Sequence, residues 1–137
     1  MVGLGGVFVK ARDQQVTGDF YRALGVPLGQ SGYLSWAWSP PGPARKAPRG
    51  PPGLTVFSLF ADDSTYFGAT GQRAMVNLRV EGLDALVARL AAAGVAVLPE
   101  RQDEPYGRFA WILDPDGNRI ELWEPTLVPA PDAVPMR

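Results

Sequence analysis

One carboxylate, Glu121, stands in an apolar stretch near the end of the sequence, between Ile120 and Leu122. Strand alternation would place Glu121 on the opposite face from these two neighbours. If the apolar pair packs under helices, Glu121 points to the other face beside Trp123. A carboxylate in such apolar surroundings should have a raised pKa, which suits a general base, or it can bind a ligand's cation or hydrogen-bond donor. The alternative is a strand glutamate whose oxygens are hydrogen-bonded or partly solvated and which has no chemical role.

The 137-residue chain contains no histidine and no cysteine. Ser-His-Asp and Cys-His arrangements for nucleophilic catalysis are therefore excluded, and so are disulfides. The sequence also lacks the phosphate-binding GxxxxGK(S/T) motif and a GxGxxG motif that follows a strand.

Aromatic and polar side chains predicted on the same face as Glu121 could line a binding cavity. On the fourth predicted strand, Met75 and Asn77 share that face, Asn77 as a hydrogen-bonding group and Met75 as a soft wall. The candidate ligand-binding residues are Phe8, Trp36, Trp38, Met75, Asn77, Tyr106, Trp111 and Trp123. Tryptophan is also enriched in interfaces, and methionine most often fills a core, so these alternatives stay open.

Periodicity predicts the elements that position these residues. Strands are predicted at Val2–Ala11, Tyr33–Trp38, Leu54–Ala61, Ala74–Val80, Val95–Leu98, Phe109–Leu113 and Arg119–Glu124. A first helix is predicted after Asp13, where apolar residues recur at helical spacing. The clearest helix carries an apolar stripe formed by Leu83, Leu86, Val87 and Leu90. The order strand, helix, then two or three strands thus occurs twice. This predicts an α+β fold: two βαβββ modules, about 1–61 and 74–125, in one domain whose cupped mixed sheet carries its helices on the outer face.

Turn-forming residues and prolines predict where the chain leaves the sheet. The segment Asp114–Asn118 (DPDGN) supplies turn geometry and side-chain-to-backbone hydrogen bonds, which indicates a structural role. The proline-rich loop 39–53 cannot join a sheet ladder and is interpreted as a solvated flap or a dimer contact, with a lid as the alternative. The tail 126–137 carries several prolines and is predicted to be irregular.

Length and composition favour one small globular domain. Apolar residues make up 46% of the chain, charged residues 20%, and the formal net charge is −1. Without a basic excess, no nucleic-acid partner is expected. The sequence begins without a signal-peptide pattern, and no apolar run approaches the roughly 20 residues that span a bilayer. We therefore expect a cytoplasmic protein without a membrane partner.

Three segments, in this order and at this spacing, resemble the vicinal oxygen chelate superfamily, which includes glyoxalase I, bleomycin-resistance proteins and extradiol dioxygenases. They are Phe20–Gly25 (FYRALG), Asn77–Leu86 (NLRVEGLDAL) and Asp114–Leu122 (DPDGNRIEL). The resemblance covers the chain from about residue 4 to residue 125. It implies the same doubled fold, a homodimer, and a sheet cup that holds one divalent ion in the metal-binding members.

The resemblance also implies where those members carry their metal ligands. The ligand on the first strand, usually histidine, aligns with Gly6, and the one that opens the second module aligns with Met75. The last ligand aligns with Glu121, and the remaining one falls within Leu54–Ala61, which contains no acid. Glycine offers no donor, a thioether is a soft ligand, and catalytic zinc sites use about three protein ligands. We therefore expect no tightly held metal and no cofactor.

The expected function is binding of a small organic ligand in the aromatic cup by a homodimer, because the resemblance includes the bleomycin-resistance branch, which binds rather than reacts. The alternative is a metal-independent lyase or isomerase in which Glu121 is the general base and Asn77 or Tyr106 steers the substrate. A third hypothesis is a module whose dimer surface is its function, and it predicts a cup filled by the protein's own side chains. Whether the protein is an enzyme stays open.

Overall fold

The computed structural model describes residues 1–23, 25–37, 53–68 and 71–126. Within these residues the elements are β1 (Gly3–Ala11), α1 (Gln14–Ala23), β2 (Tyr33–Ala37), β3 (Leu54–Ala61), β4 (Ala74–Arg79), α2 (Leu83–Ala92), β5 (Ala96–Glu104), β6 (Gly107–Leu113) and β7 (Arg119–Pro125). Three sequence predictions fall outside them: the role of Trp38, residues 39–52 of the proline-rich loop, and residues 127–137 of the tail. No helix in the described part of the chain has the length and apolarity needed to cross a membrane.

All seven described strands belong to one sheet in the order β2-β3-β1-β4-β7-β6-β5. The two halves meet where β1 pairs with β4 in antiparallel fashion. In each half the first strand lies parallel to the last, β1 with β3 and β4 with β7, and the remaining strands are antiparallel. The predicted α+β class with a mixed sheet and two helices is confirmed.

Helix α2 covers the outer face of the second half through the apolar stripe predicted from the sequence. Leu83, Leu86 and Val87 are buried against Ala110 and Leu122 of the sheet beneath. Gly94 follows the helix with a φ of 85°, a conformation that glycine adopts without steric cost. Apolar burial therefore fixes which sheet face is turned toward the helices.

The opposite sheet face, called here the cup face, carries a second and largely aromatic core. Its buried members are Phe8, Leu54, Val56, Phe60, Phe67, Met75, Tyr106, Phe109, Trp111 and Trp123. Phe67 comes from the connection between β3 and β4 and is fully buried, with its ring centroid 5.1 Å from that of Phe60. This connection, which reads as polar in the sequence, inserts an aromatic ring into the cup face.

The turn between β6 and β7 is held by the Asp114 carboxylate, as the sequence predicts. Its Oδ1 accepts hydrogen bonds from the backbone N–H groups of Asp116 at 2.9 Å and Asn118 at 2.8 Å, and its Oδ2 accepts one from Asn118 Nδ2 at 3.0 Å. The bonds from the side chain and backbone of Asn118 lower the pKa of Asp114 from its ordinary value of 3.8. The ionised carboxylate therefore stabilises the turn.

We expect Asp114→Ala to lower the melting temperature by a few degrees at neutral pH. Because the pKa is lower in the folded state, this stabilisation is complete well above pH 3.8 and is lost as pH falls through the folded-state pKa. The difference in melting temperature between the wild type and Asp114→Ala should therefore be smaller at about pH 3 than at neutral pH. Asp116→Ala is the matched control, since the turn uses the backbone N–H of Asp116. If Asp114→Ala lowers the melting temperature by the same amount at both pH values, this account is contradicted.

Candidate functional site

A cavity opens on the cup face between the two halves of the sheet. Six aromatic side chains form most of its wall: Phe8, Tyr33, Phe60, Tyr106, Phe109 and Trp123. Polar groups enter from Ser58, Asn77 and Glu121. The cavity has a volume of about 40 Å³ and is partly open to solvent. It is an apolar cleft with a few polar groups at its floor, the usual composition of a small-molecule site.

Glu121 lies at this floor with 0% of its surface exposed. Its Oε1 accepts a hydrogen bond from Asn77 Nδ2 at 2.6 Å, and its Oε2 accepts one from Trp111 Nε1 at 3.1 Å. The Tyr66 hydroxyl also donates to Oε2. These four residues, Glu121, Tyr66, Asn77 and Trp111, are called here the Glu121 cluster. A buried carboxylate is costly unless hydrogen-bonded, and this one has a donor on each oxygen.

Strand register brings two members of the cluster to Glu121. On β7, Glu121 is the register partner of Asn77 on parallel β4 and of Trp111 on antiparallel β6. Side chains at paired positions share a face, so both donors lie on the cup face beside the carboxylate. Sequence alternation on each strand therefore assembles this part of the cluster.

Tyr66 is the member that sequence reasoning missed. It lies in the connection between β3 and β4. Its ring stacks on that of Phe60, with the centroids 5.5 Å apart, and forms a T-shaped contact with Trp111, with the centroids 6.0 Å apart. The available signal was the aromatic pair Tyr66-Phe67 inside an otherwise polar segment. An aromatic pair at such a place is a reason to expect that a connection packs back onto the sheet.

Asn77 presents an acceptor at the cavity floor. It is 2% exposed, and its Oδ1 has no hydrogen-bond partner within the described part of the chain. The adjoining cavity residue is Gly5, where β1 shifts register against β4 between Leu4 and Gly6. A Cβ at residue 5 would lie 1.9 Å from Oδ1, so only glycine leaves room for this oxygen.

The structure brings most of the sequence-predicted binding residues together. Phe8, Asn77, Tyr106 and Trp123 line the cavity together with Glu121. Met75 and Trp111 are buried in the same cup-face core but are not among the described residues that line the cavity. Tyr33, Phe60 and Phe109 line it as well, although sequence reasoning did not select them.

The prediction that Trp36 lines the cup is wrong. On β2, Tyr33 pairs with Ser58 and faces the cavity, whereas Trp36 pairs with Thr55. Three residues separate Tyr33 from Trp36, and strand alternation therefore turns Trp36 to the opposite face. Trp36 is 43% exposed there.

The divalent ion that the resemblance implies does not fit these residues. A Cβ at Gly6 would lie 2.5 Å from the backbone oxygen of Val56, so even the first atom of a ligand side chain is obstructed there. Met75 is a buried thioether, and both oxygens of Glu121 already accept hydrogen bonds from protein donors. Among the residues that the structure describes, no group of three or more acids, histidines or cysteines is placed to hold a metal.

A positive charge lies beside the cavity, at the end of β4. Arg79 is buried, and its guanidinium carbon is 5.9 Å from the ring centroid of Trp123. Burial lowers the pKa of Arg79, and the charge of Glu81 opposes that shift. Because arginine starts from so high a pKa, it stays charged at neutral pH.

The doubled fold and the cup-face cavity define the class of protein. The chain belongs to the glyoxalase/bleomycin resistance protein/dioxygenase superfamily, whose family model matches residues 4–122. The resemblance drawn from three short segments is thereby confirmed at the level of the family. Comparison with curated protein sequences found no match.

Solved structures support the fold. Methylmalonyl-CoA epimerase from Mycobacterium tuberculosis is 24% identical over 90% of this chain and 88% of its own, with a TM-score of 0.55. A superfamily member from Vibrio splendidus 12B01 is 12% identical over 86% and 95% of the two chains, with a TM-score of 0.52. A Legionella pneumophila protein described as an NAD-dependent benzaldehyde dehydrogenase is 12% identical over 88% and 98%, with a TM-score of 0.56. At these identities the likeness concerns the fold alone.

Proposed function

We propose that the protein binds a small organic molecule in the cup-face cavity without a tightly held metal. The observation that carries the proposal is a wall of six aromatic side chains, into which Ser58, Asn77 and Glu121 bring polar groups. Such a cleft gains binding free energy from aromatic and apolar contact and takes its orientation from few polar contacts. The residues at the family's metal positions support binding rather than metal-assisted chemistry, because they do not offer a set of ligands.

The dimensions of the cavity limit the shape of the ligand. The cavity volume of about 40 Å³ compares with the roughly 10–15 Å³ that one water needs. A cavity of this size accepts part of a small molecule, and the rest can extend through the open side. A flat, mostly apolar molecule that enters edge first fits this shape, and the open mouth argues against a cup filled by the protein's own side chains.

The Glu121 cluster favours binding over the alternative of a lyase or isomerase. Glu121 borders the cavity, as a general base would need to do. Its two oxygens, however, are engaged by Asn77 on one side and by Tyr66 and Trp111 on the other. A base needs a lone pair within reach of the proton it removes, and these donors compete with a substrate for the lone pairs of Glu121. We therefore assign Glu121 a supporting role in the binding site.

We further propose a cytoplasmic homodimer, and exposed apolar side chains support the association of two copies of the chain. Val16, Phe20, Trp36 and Val76 are large apolar residues that remain exposed on the single chain. Exposed apolar side chains that lie together on a surface are often covered in an assembly, so the oligomeric state tests whether these four residues form such a surface. Light scattering is expected to give about twice the 14.7 kDa of one chain, and a monomer would end this part of the proposal.

We expect a flat aromatic probe, 2-naphthol, to raise the melting temperature progressively, with the logarithm of its concentration once this exceeds the dissociation constant. A probe at 100 times its dissociation constant stabilises the native state by about 2.7 kcal/mol. Phe109→Leu, which removes a ring from the wall, should weaken binding roughly fivefold by loss of aromatic contact. Trp36→Phe is the matched control, because Trp36 lies on the opposite face and should not affect binding. If a panel of flat aromatic probes leaves the melting temperature unchanged, the proposal loses its basis.

A further inference from the structure

We infer that the cavity selects molecules that present an O–H or N–H donor to the Oδ1 atom of Asn77. This inference rests on the proposed binding function and adds the chemical class of the ligand. Its first support is that Asn77 is 2% exposed while Oδ1 has no partner within the described part of the chain. Buried polar atoms in proteins are almost always paired, so this acceptor calls for a donor from a molecule in the cavity.

The orientation of the Asn77 amide follows from its neighbours. Nδ2 donates to Glu121 Oε1 at 2.6 Å, and a reversed amide would bring Oδ1 against that carboxylate oxygen, acceptor against acceptor. Glu121 is held in turn through its other oxygen by Tyr66 and Trp111. The Glu121 cluster therefore fixes which atom of the amide is left for the cavity.

Gly5 makes room for that atom, which is itself buried at the border of the cavity. A Cβ at residue 5 would lie 1.9 Å from Asn77 Oδ1 and 3.2 Å from Cε3 of Trp123. The free acceptor therefore lies between a bare stretch of backbone and the face of an indole. A flat ring resting near Trp123 can direct a substituent on its edge toward Oδ1.

The chemistry of the floor defines the ligand class. Phenols and aromatic ring N–H compounds supply both the flat apolar body and the donor. Ethers and N-methylated analogues have the same shape but no donor. A carboxylate on the inserted edge is disfavoured, because its acceptor oxygens would face the acceptor oxygens of Asn77 and Glu121.

A matched pair of probes tests this inference: 2-naphthol, which carries an O–H donor, and 2-methoxynaphthalene, which has the same ring system and no donor. Binding is measured by calorimetry on the intact protein. We expect 2-naphthol to bind about tenfold more tightly, because it alone satisfies the buried acceptor. In Asn77→Leu, which keeps a side chain of similar size, the two probes should bind alike.

Glu121→Gln provides a second variant that keeps the size of the floor. Its amide oxygen can still accept from Tyr66 and Trp111, and its N–H group then needs an acceptor from Asn77. Asn77 should therefore turn, so that Nδ2 faces the cavity. The preference for 2-naphthol is expected to disappear, and a probe with a strong acceptor, 2-acetylnaphthalene, should gain affinity relative to the wild type.

The outcomes separate this inference from the proposed function. Equal binding of 2-naphthol and 2-methoxynaphthalene to the wild type would overturn the role of Asn77 and leave the binding function intact. Tighter binding of 2-acetylnaphthalene than of 2-naphthol to the wild type would also overturn it, since it would indicate the reversed amide. If none of the probes binds, the proposed function fails and this inference fails with it.

Discussion

Replacing Glu121 with alanine is expected to lower the free energy of unfolding by about 3 kcal/mol, or the melting temperature by roughly 10 °C. The side chain is fully buried and accepts hydrogen bonds from Tyr66, Asn77 and Trp111. Without the carboxylate these donors face an empty space, and each unsatisfied buried donor costs about 1–3 kcal/mol. Water that enters the space recovers part of this loss, so the expected value lies below the sum. Urea denaturation and thermal unfolding measure it.

Two further variants identify the cause. Glu121→Gln keeps an acceptor for Tyr66 and Trp111 and should cost only about 1 kcal/mol. Glu100→Ala removes an exposed acid whose contact with Arg119 is 4.0 Å long, and it should cost less than about 1 kcal/mol. A carboxylate kept for catalysis at the expense of stability would give the opposite sign, because its removal stabilises the fold. A Glu121→Gln protein more stable than the wild type would therefore return Glu121 to the role of general base.

Local periodicity predicted the parts of the fold in which a single element decides the outcome. The stripe of α2 and the alternation of β7 each contain their own signal, since apolar residues must face the same core. Leu122 is buried under α2 and Glu121 on the cup face, as alternation requires. The face of Glu121 could thus be predicted from its neighbours, whereas its function in the site is a matter for experiment.

The rest of the site depends on contacts between distant segments, which periodicity does not encode. Tyr66 reaches Glu121 across 55 residues of sequence from a connection that has no repeating pattern. Trp36 was placed on the wrong face because nothing on β2 fixed its register, and a shift of one residue turns every side chain over. The same holds for Tyr33: its face is set by the pairing with Ser58 on β3, which the local sequence of β2 does not encode.

Gly6→Ala is expected to lower the free energy of unfolding by about 2–3 kcal/mol. The new Cβ would lie 2.5 Å from the backbone oxygen of Val56 and 3.1 Å from its Cβ. Gly6 and Val56 are paired positions of parallel β1 and β3, so neither backbone can move away without disturbing the sheet. Gly6 has no positive φ, and alanine would otherwise favour a strand over glycine. A loss of stability in urea denaturation therefore reports the close approach itself.

Gly18→Ala is the matched control in the same half of the molecule. Its Cβ would meet only the end of the flexible Arg22 side chain at 3.0 Å, and alanine in a helix is favoured over glycine by up to about 1 kcal/mol. The two Gly→Ala changes should therefore alter the free energy of unfolding in opposite directions.

A double variant, Gly6→His with Met75→His, restores the residue types that the resemblance implies for the metal-binding members. We expect this variant to unfold rather than to bind zinc. Two results together would contradict this account: a Gly6→Ala protein as stable as the wild type, and stoichiometric zinc binding by the double variant. They would mean that the backbone of β3 can move away from residue 6. The identity of the side chains alone would then explain why the cup does not fit a metal.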